Sequence, residues 1–429
     1  MGHIGQMLNS NHSLIPMLLF GASLLVRLTA FWIVPEPHLS TNASIAYLGA
    51  AHMLHEDDGF SDPSFPVFTP PLYAILITGG VSLFGDDEIP IKIAQMIADS
   101  LSTVVVYFIV LEVFNVVSAL LSGVILSVYP FSIYATLYIG VEAFFTLFLS
   151  VFVLLIVYGL KYGKWIHSVG AGLILGLATL TRGTTQMIPL VLPLAMLVHP
   201  ERRQRWWNHC AIIVVACVLV VLPWSLRNYL VLHEVIPVAA VAGGNFLYGS
   251  SEQFWTISER EQALPRMFDS LKAKGVIEAP SLQTSPSAAD RYALIAGLEI
   301  YKMRLRNDPF SFIPFGMKKF LRLWYATESG NNHGIILGIN LPLFLGAIGG
   351  VILVIQQGNR YAYLLLGLVG YFVALHLIMV PLFRYMLPVM PYVIAFASFA
   401  VSVLLERTFP HWDGNGFFKS PSTSIVLTP

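Results

Sequence analysis

Long apolar runs separated by short polar breaks dominate the chain, and their lengths set what each can do. Residues 14–34 form the first run, long enough to cross about 30 Å of hydrocarbon. It lacks a basic leader and a small-residue cleavage site, so it is read as a first membrane span and not a secretion signal. Arg27 near its outer end either faces the bundle interior or snorkels to the surface. Residues 35–71 then interrupt the apolar pattern. Within them, Ser40, Thr41 and Asn42 offer caps for a short helix over 43–55. Tyr47, Ala50, Ala51 and Leu54 fall at i, i+3, i+4 and i+7, one apolar face suited to lying on the membrane surface.

Residues 71–84 are apolar but too short to span, which predicts a juxtamembrane helix. Further spans are expected at about 90–112, 117–133 and 136–158, then short helices at 168–181 and 184–198, then a span at 208–224. Spans at 335–355, 361–380 and 386–405 complete an all-α polytopic bundle of about ten transmembrane helices. Residues 225–330 are polar, with a Ser/Pro-rich patch at 280–287, and predict a small mixed extracytoplasmic region. Lys318, Lys319 and Arg322, interleaved with Phe320, Leu323 and Trp324, suggest an interfacial helix. The expected division is thus 1–224, 225–330, 331–407 and a disordered tail over 408–429.

Composition agrees with the pattern. Of 429 residues 56% are hydrophobic and 11% charged, against about a quarter charged in soluble domains. The net charge of zero argues against a nucleic-acid partner. Cys210 and Cys217 lie in one apolar run and read as packing residues. Basic residues gather in alternate short loops: Lys161 and Lys164, Arg202, Arg203 and Arg205, Arg360, and Arg407. By the positive-inside rule these loops face the cytoplasm, so residues 35–71 and 225–330 face outward together.

Candidate chemistry therefore lies on the outer side. The 35–71 segment carries Glu36, Asp57, Asp58 and Asp62 with His38, His52 and His55, and no Lys or Arg. His52, His55 and Asp57 could bind a divalent metal, although a solvated loop explains them more simply. Glu142 and Asp99 are acids at membrane depth, where ionisable groups tend to be functional; Asp99 could equally join two helices by hydrogen bonds. Arg182, Arg227 and Arg384 fall at predicted outer ends, where guanidinium groups suit phosphate or anchor the interface.

Several words of the sequence resemble one family. They are Pro70-Pro71-Leu72-Tyr73, Leu83-Phe84-Gly85, Tyr129-Pro130 leading to Glu142, and the stretch from Gly172 to Arg182. Pro223-Trp224-Ser225-Leu226-Arg227-Asn228-Tyr229, Gly243-Gly244-Asn245 and Arg384-Tyr385-Met386-Leu387-Pro388 complete the set. In this order the chain resembles the bacterial membrane glycosyltransferases of the C fold superfamily, close to the family-39-like group of protein mannosyltransferases and aminoarabinose lipid A transferases. The resemblance implies a polyprenyl-phosphate-linked sugar donor, a lipid, glycan or protein acceptor, and transfer with inversion at the periplasmic face of the inner membrane. It implies Glu142 as the leading catalytic acid and Arg182, Arg227 and Arg384 as phosphate contacts. Tyr47, Tyr73, Asn42 and Asn245 are implied as substrate contacts. One departure stands out: the family places an Asp four residues before the tyrosine matched by Tyr47, and here that position is Ala43. Glu36, Asp57, Asp58 or Asp62 would have to take that role. A lipid-linked-sugar flippase and a non-catalytic relative remain the alternatives.

Overall fold

The computed structural model describes residues 14–34, 42–56, 59–61, 65, 67–85, 88–194, 203–273, 275 and 285–409. Glu36, Asp57, Asp58, Asp62 and the tail over 410–429 lie outside the described residues. In chain order the helices are α1 (Leu14–Ile33), α2 (Asn42–Glu56), α3 (Pro71–Phe84), α4 (Ile89–Val113), α5 (Val116–Ser127) and α6 (Pro130–Ala135). Next come α7 (Glu142–Tyr162), α8 (Trp165–Thr181), α9 (Ile188–Val191), α10 (Arg203–Leu232), α11 (Ala242–Ser250) and α12 (Ile257–Ala273). The series ends with α13 (Pro286–Asn307), α14 (Phe312–Arg322), α15 (His333–Gln357), α16 (Ala362–Ile378) and α17 (Met390–Thr408). Among the described residues there is no strand, so the polar 225–330 stretch is built of helices joined by turns and loops where it is described.

Among the described residues six helices, α1, α4, α7, α10, α15 and α17, are long and apolar enough to cross a membrane, and α3, α5, α8 and α16 are apolar but shorter. Prolines account for most departures from the expected elements. The predicted span over 117–133 divides because α5 ends at Ser127 and Pro130 opens α6, a position where its missing N–H costs nothing. Of the helix expected over 184–198, the described part is a turn over Gly183–Thr185, the short α9 with Pro189 in its first turn, and a 3-10 turn over 192–194 that holds Pro193; 195–198 lie outside the described residues. By contrast α10 runs on to Leu232 with Pro223 inside it.

Bare backbone lets the helices approach closely. A Cβ on Gly172 would stand 2.4 Å from the Ile213 carbonyl oxygen, and one on Gly176 would stand 2.5 Å from Val220 Cβ, so α8 lies directly on α10. Gly346 and Gly350 do the same for α15 on α17, where a Cβ at Gly350 would meet the Phe396 carbonyl oxygen at 2.0 Å. Both are small residues four apart, the usual device for close helix pairs in lipid.

Arg27 faces the bundle interior, fully buried. Its Nε donates to Asp99 Oδ2 at 2.7 Å and its Nη2 donates to the same oxygen. Nη1 donates to Ser23 Oγ at 2.6 Å and to the Ser127 carbonyl at 3.1 Å, and Nη2 also reaches Ser132 Oγ at 3.2 Å. The guanidinium thus joins α1, α4 and α6 while capping the last carbonyls of α5, where positive charge opposes the helix dipole. Removing one partner strands a charge in a low-dielectric interior. Asp99→Asn should therefore destabilise the protein by about 3–5 kcal/mol, whereas the double replacement Arg27→Leu/Asp99→Leu should cost less than either single change; thermal unfolding in detergent checks both.

Helix α2 matches the expected short helix, but its apolar face packs on protein. Tyr47 and Ala51 lie against Tyr73, Ile77 and Ile91, with Ile139 and Val141 behind. The interfacial reading of α14 also needs amending. Ile313, Met317 and Leu321 are exposed on it, while Lys319 is buried at 1% exposure. Lys319 Nζ donates to the carbonyls of Gly249 (2.9 Å) and Ile378 (3.1 Å) and to Tyr301 Oη (3.2 Å), tying α14 to α11, α13 and α16. Burial, helped by the nearby Arg304, pushes this ammonium down to about 7. An unfolded chain keeps the lysine charged to about 10.4. Between those values the unfolded state binds more protons, so this group makes stability rise with pH above about 7 and lowers it most below that. Lys319→Met should flatten the rise in unfolding temperature between about pH 7 and pH 10 relative to the parent protein.

Candidate active site

Glu142 is the first residue of α7, held where the turn over 136–141 feeds into the helix. A carboxylate there faces the positive end of the helix dipole. It is completely buried. Arg384, from the 3-10 turn Phe383–Tyr385, donates through Nη2 to Glu142 Oε1 at 3.0 Å. The two residues are 242 positions apart in sequence. Arg182 ends α8 and also interacts electrostatically with Glu142. Its guanidinium lies over the rings of Tyr385 (4.7 Å) and Phe145 (5.6 Å).

The arrangement is only partly satisfied. Glu142 Oε2, Arg182 Nη1 and Arg384 Nε are all buried and make no hydrogen bond in the protein. Buried polar groups are rarely left so. One acceptor and two cationic donors are therefore available in a single electrostatic cluster. That combination can take a proton from a hydroxyl and hold an anionic oxygen.

Tyr47 joins this cluster. Burial raises its hydroxyl pKa, and the Glu142 charge raises it further, so it remains a neutral donor at physiological pH. It meets Tyr73 edge to face at 5.0 Å. Tyr73 is itself fully buried, and its hydroxyl donates to Gln95 Oε1. Gln95 belongs to α4 and has no counterpart in the sequence expectations. Tyr385 and His376, stacked at 5.0 Å beside Arg182, were likewise not singled out, although Tyr385 stands in the Arg384-Tyr385 word.

Other expected site residues are placed elsewhere or lie outside the described residues. Arg227 is tied to the first loop: its Nε donates to the Phe60 carbonyl at 2.6 Å and its guanidinium lies over Phe65 and Trp224. The rest of that word grips the following segment. Trp224 Nε1, Ser225 Oγ and Asn228 Nδ2 donate to the carbonyls of Val238, Pro237 and Ile236. Pro223-Trp224-Ser225-Leu226-Arg227-Asn228 is thus a clasp holding α10 to its neighbouring loops. Asn245 bonds back to the Val241 carbonyl within α11 at 3.1 Å. The two glycines before it present their N–H groups to Asp290 Oδ1 at 2.8 and 3.2 Å. Asn42 opens α2, but its side chain is outside the described residues, as are Glu36, Asp57, Asp58 and Asp62. Among the described residues no group of three His, Cys, Asp or Glu is placed to hold a metal; Asp57, the expected third member with His52 and His55, is not among them.

Comparisons with known proteins bear on this geometry. Residues 69–226 match the model of the dolichyl-phosphate-mannose-protein mannosyltransferase family. No curated protein sequence matches the chain. Among solved structures it resembles the archaeal oligosaccharyltransferase AglB from Archaeoglobus fulgidus, determined with an inhibitory peptide and a dolichol-phosphate. The TM-score is 0.58 at 12% identity, over 97% of this chain and 53% of that one. The apo form of the Archaeoglobus fulgidus enzyme gives 0.56 at 12% identity, over 94% and 52%. A weaker likeness, TM-score 0.45 at 14% identity over 92% and 79%, is to ArnT from Cupriavidus metallidurans bound to undecaprenyl phosphate. The chain spans about half the length of the two oligosaccharyltransferase chains. It has the fold of the membrane glycosyltransferases of the C superfamily, and its 69–226 stretch matches the group to which the sequence words point.

Proposed function

We propose that the chain transfers a sugar from a polyprenyl-phosphate carrier to an acceptor hydroxyl at the outer face of the membrane. The observation that carries this reading is the buried cluster of Glu142, Arg182 and Arg384 with one oxygen and two nitrogens unpaired. As the acceptor oxygen bonds to the anomeric carbon, its proton passes to Glu142 Oε2. The bond from that carbon to the phosphate oxygen breaks on the opposite side, which inverts the centre. The electron pair leaves on the polyprenyl phosphate, where Arg182 and Arg384 balance the charge. Arg384 holds Glu142 Oε1, so the other oxygen is the one directed to the acceptor.

Charge placement supports the outward orientation. Lys161 closes the end of α7 opposite Glu142 and lies over the Tyr361 ring next to Arg360, so these two basic loops meet away from the cluster. A dolichol-phosphate is bound in the oligosaccharyltransferase that shares this fold, and the matching family is named for a dolichyl-phosphate sugar. Both agree with a lipid-carried donor, which needs no nucleotide-binding loop. The acceptor is a hydroxyl of a lipid, glycan or protein.

Two measurements test the reading. In proteoliposomes supplied with undecaprenyl-phosphate-linked hexoses and pentoses and a cell-envelope acceptor extract, Glu142→Gln should lower turnover by about 10²–10⁴-fold. Wild-type turnover in Glu142→Gln, with loss in an Asn or Gln variant of Glu36, Asp57, Asp58 or Asp62, would place the base on the first loop instead. Separately, Arg182→Gln and Arg384→Gln should each weaken binding of undecaprenyl phosphate by about ten- to a hundredfold, measured by tryptophan fluorescence; unchanged affinity in both would remove the phosphate role.

A further inference from the structure

We infer that Gln95 and Tyr73 are positioning residues that hold the turn before Glu142, so that the amide of one residue on α4 sets where the carboxylate points. Gln95 is fully buried in an apolar helix. Its amide uses every hydrogen-bonding position it has. Nε2 donates to the carbonyls of Tyr138 (2.8 Å) and Thr136 (3.3 Å), and Oε1 accepts from Gly140 N (3.2 Å) and from the Tyr73 hydroxyl. A neutral side-chain amide offers two donors and one oxygen with two lone pairs, so the set is complete. Glutamate at this position would face two carbonyl oxygens with no donor when ionised, and methionine would leave the turn's polar groups unpaired in the bundle.

Other neighbours fix the same turn. Ser44 Oγ, from α2, donates to the Ile139 carbonyl at 2.6 Å. Ile139 and Val141 are packed with Tyr47, Tyr73 and Ile77. Space beside the carboxylate is tight, since a Cβ on Gly140 would stand 2.6 Å from Glu142 Oε2. The residues over 136–141 are thus held by α2, α3 and α4, and they end at the first residue of α7. Small displacements there move Oε2 directly. This gives the Pro-Pro-Leu-Tyr word a role: Pro71 starts α3 at its favoured position, and Tyr73 two residues later presents its hydroxyl to Gln95.

The catalytic half of this inference rests on the proposed transfer reaction, but the bracing half does not. Hydrogen exchange on the full-length protein in lipid nanodiscs, with no substrate present, reads the brace at the Gly140 amide. Tyr73→Phe and Gln95→Met should each speed exchange of that amide by about tenfold or more, with the amides of mid-α7 unchanged. Glu142→Gln should leave it as in the parent. In the transfer assay both brace variants should lower kcat by about ten- to a hundredfold while KM for the lipid donor stays within about twofold. Gln95→Glu should recover turnover as pH is lowered, because the protonated acid regains a donor. Unchanged Gly140 exchange in Tyr73→Phe and Gln95→Met would overturn the brace. Faster exchange with parental kcat, in an enzyme that Glu142→Gln inactivates, would overturn the positioning role and leave the transfer reaction standing. Parental turnover in Glu142→Gln would instead remove Glu142 as the base, and the positioning role with it, with the exchange result still deciding the brace.

Discussion

A charge inside a lipid-embedded bundle must be neutralised and hydrogen-bonded, or it will not stay charged or will not stay buried. Two carboxylate–guanidinium pairs meet this constraint here in opposite ways. Arg27 and Asp99 form a pair in which every donor nitrogen of the guanidinium has an acceptor, drawn from four separate helices. Glu142 and Arg384 form a pair in which one oxygen and one nitrogen are left over, with a second arginine nitrogen in the same state. The saturated pair fixes helices. The unsaturated pair keeps free hydrogen-bonding capacity beside buried charge, which is the combination the proposed transfer would use.

The unsaturated pair survives burial because its surroundings are stiff. Glu142 sits where a helix begins, so its carboxylate lies in a favourable field. The turn leading to it is held by side chains of α2, α3 and α4. Arg384 lies in a short turn whose first residue, Phe383, donates its N–H to the Ala326 carbonyl at 2.9 Å. Arg182 is fixed by two aromatic faces and by its place at the end of α8, a helix pressed against α10 through Gly172 and Gly176. Each charged group therefore rests on helix packing that contains no charge of its own.

The sequence disclosed more of this than its weak motifs suggest, and the physics explains where it fell silent. Apolar run length locates the long spans because lipid thickness imposes it. Glu142 was legible since an acid at membrane depth has few bland explanations. Arg384 was legible too, from its place at an outer end, but its pairing with Glu142 was not: no periodicity links residues 242 apart. Arg227 looked equivalent to Arg182 and Arg384 from its position near an outer end, yet its nitrogen faces a loop carbonyl instead of the carboxylate. Gln95 was silent for a different reason. A single neutral amide in a span raises no flag in composition or charge, and its meaning appears only when the carbonyls of the 136–140 turn lie opposite it. The prolines at 130, 189 and 193 were visible, but an apolar window averages over them, which is why two predicted helices came out broken.

Ala43 stands where the resemblance leads one to expect an acid, and this bears on how the proposed site can work. Asn42 and Ala43 begin a helix whose next residue, Ser44, bonds to the turn before Glu142 and whose Tyr47 interacts electrostatically with the carboxylate. In this chain α2 thus contributes bracing and a neutral phenol to the site, and the buried negative charge comes from α7. A second carboxylate four residues before Tyr47 would add like charge to a cluster that already holds Glu142 against two arginines. Among the described residues the two guanidinium groups outnumber the acid, a balance that suits the phosphate of the proposed donor. The neutral Ala43 on α2 and the Glu142–Arg384 pair are then parts of one electrostatic balance.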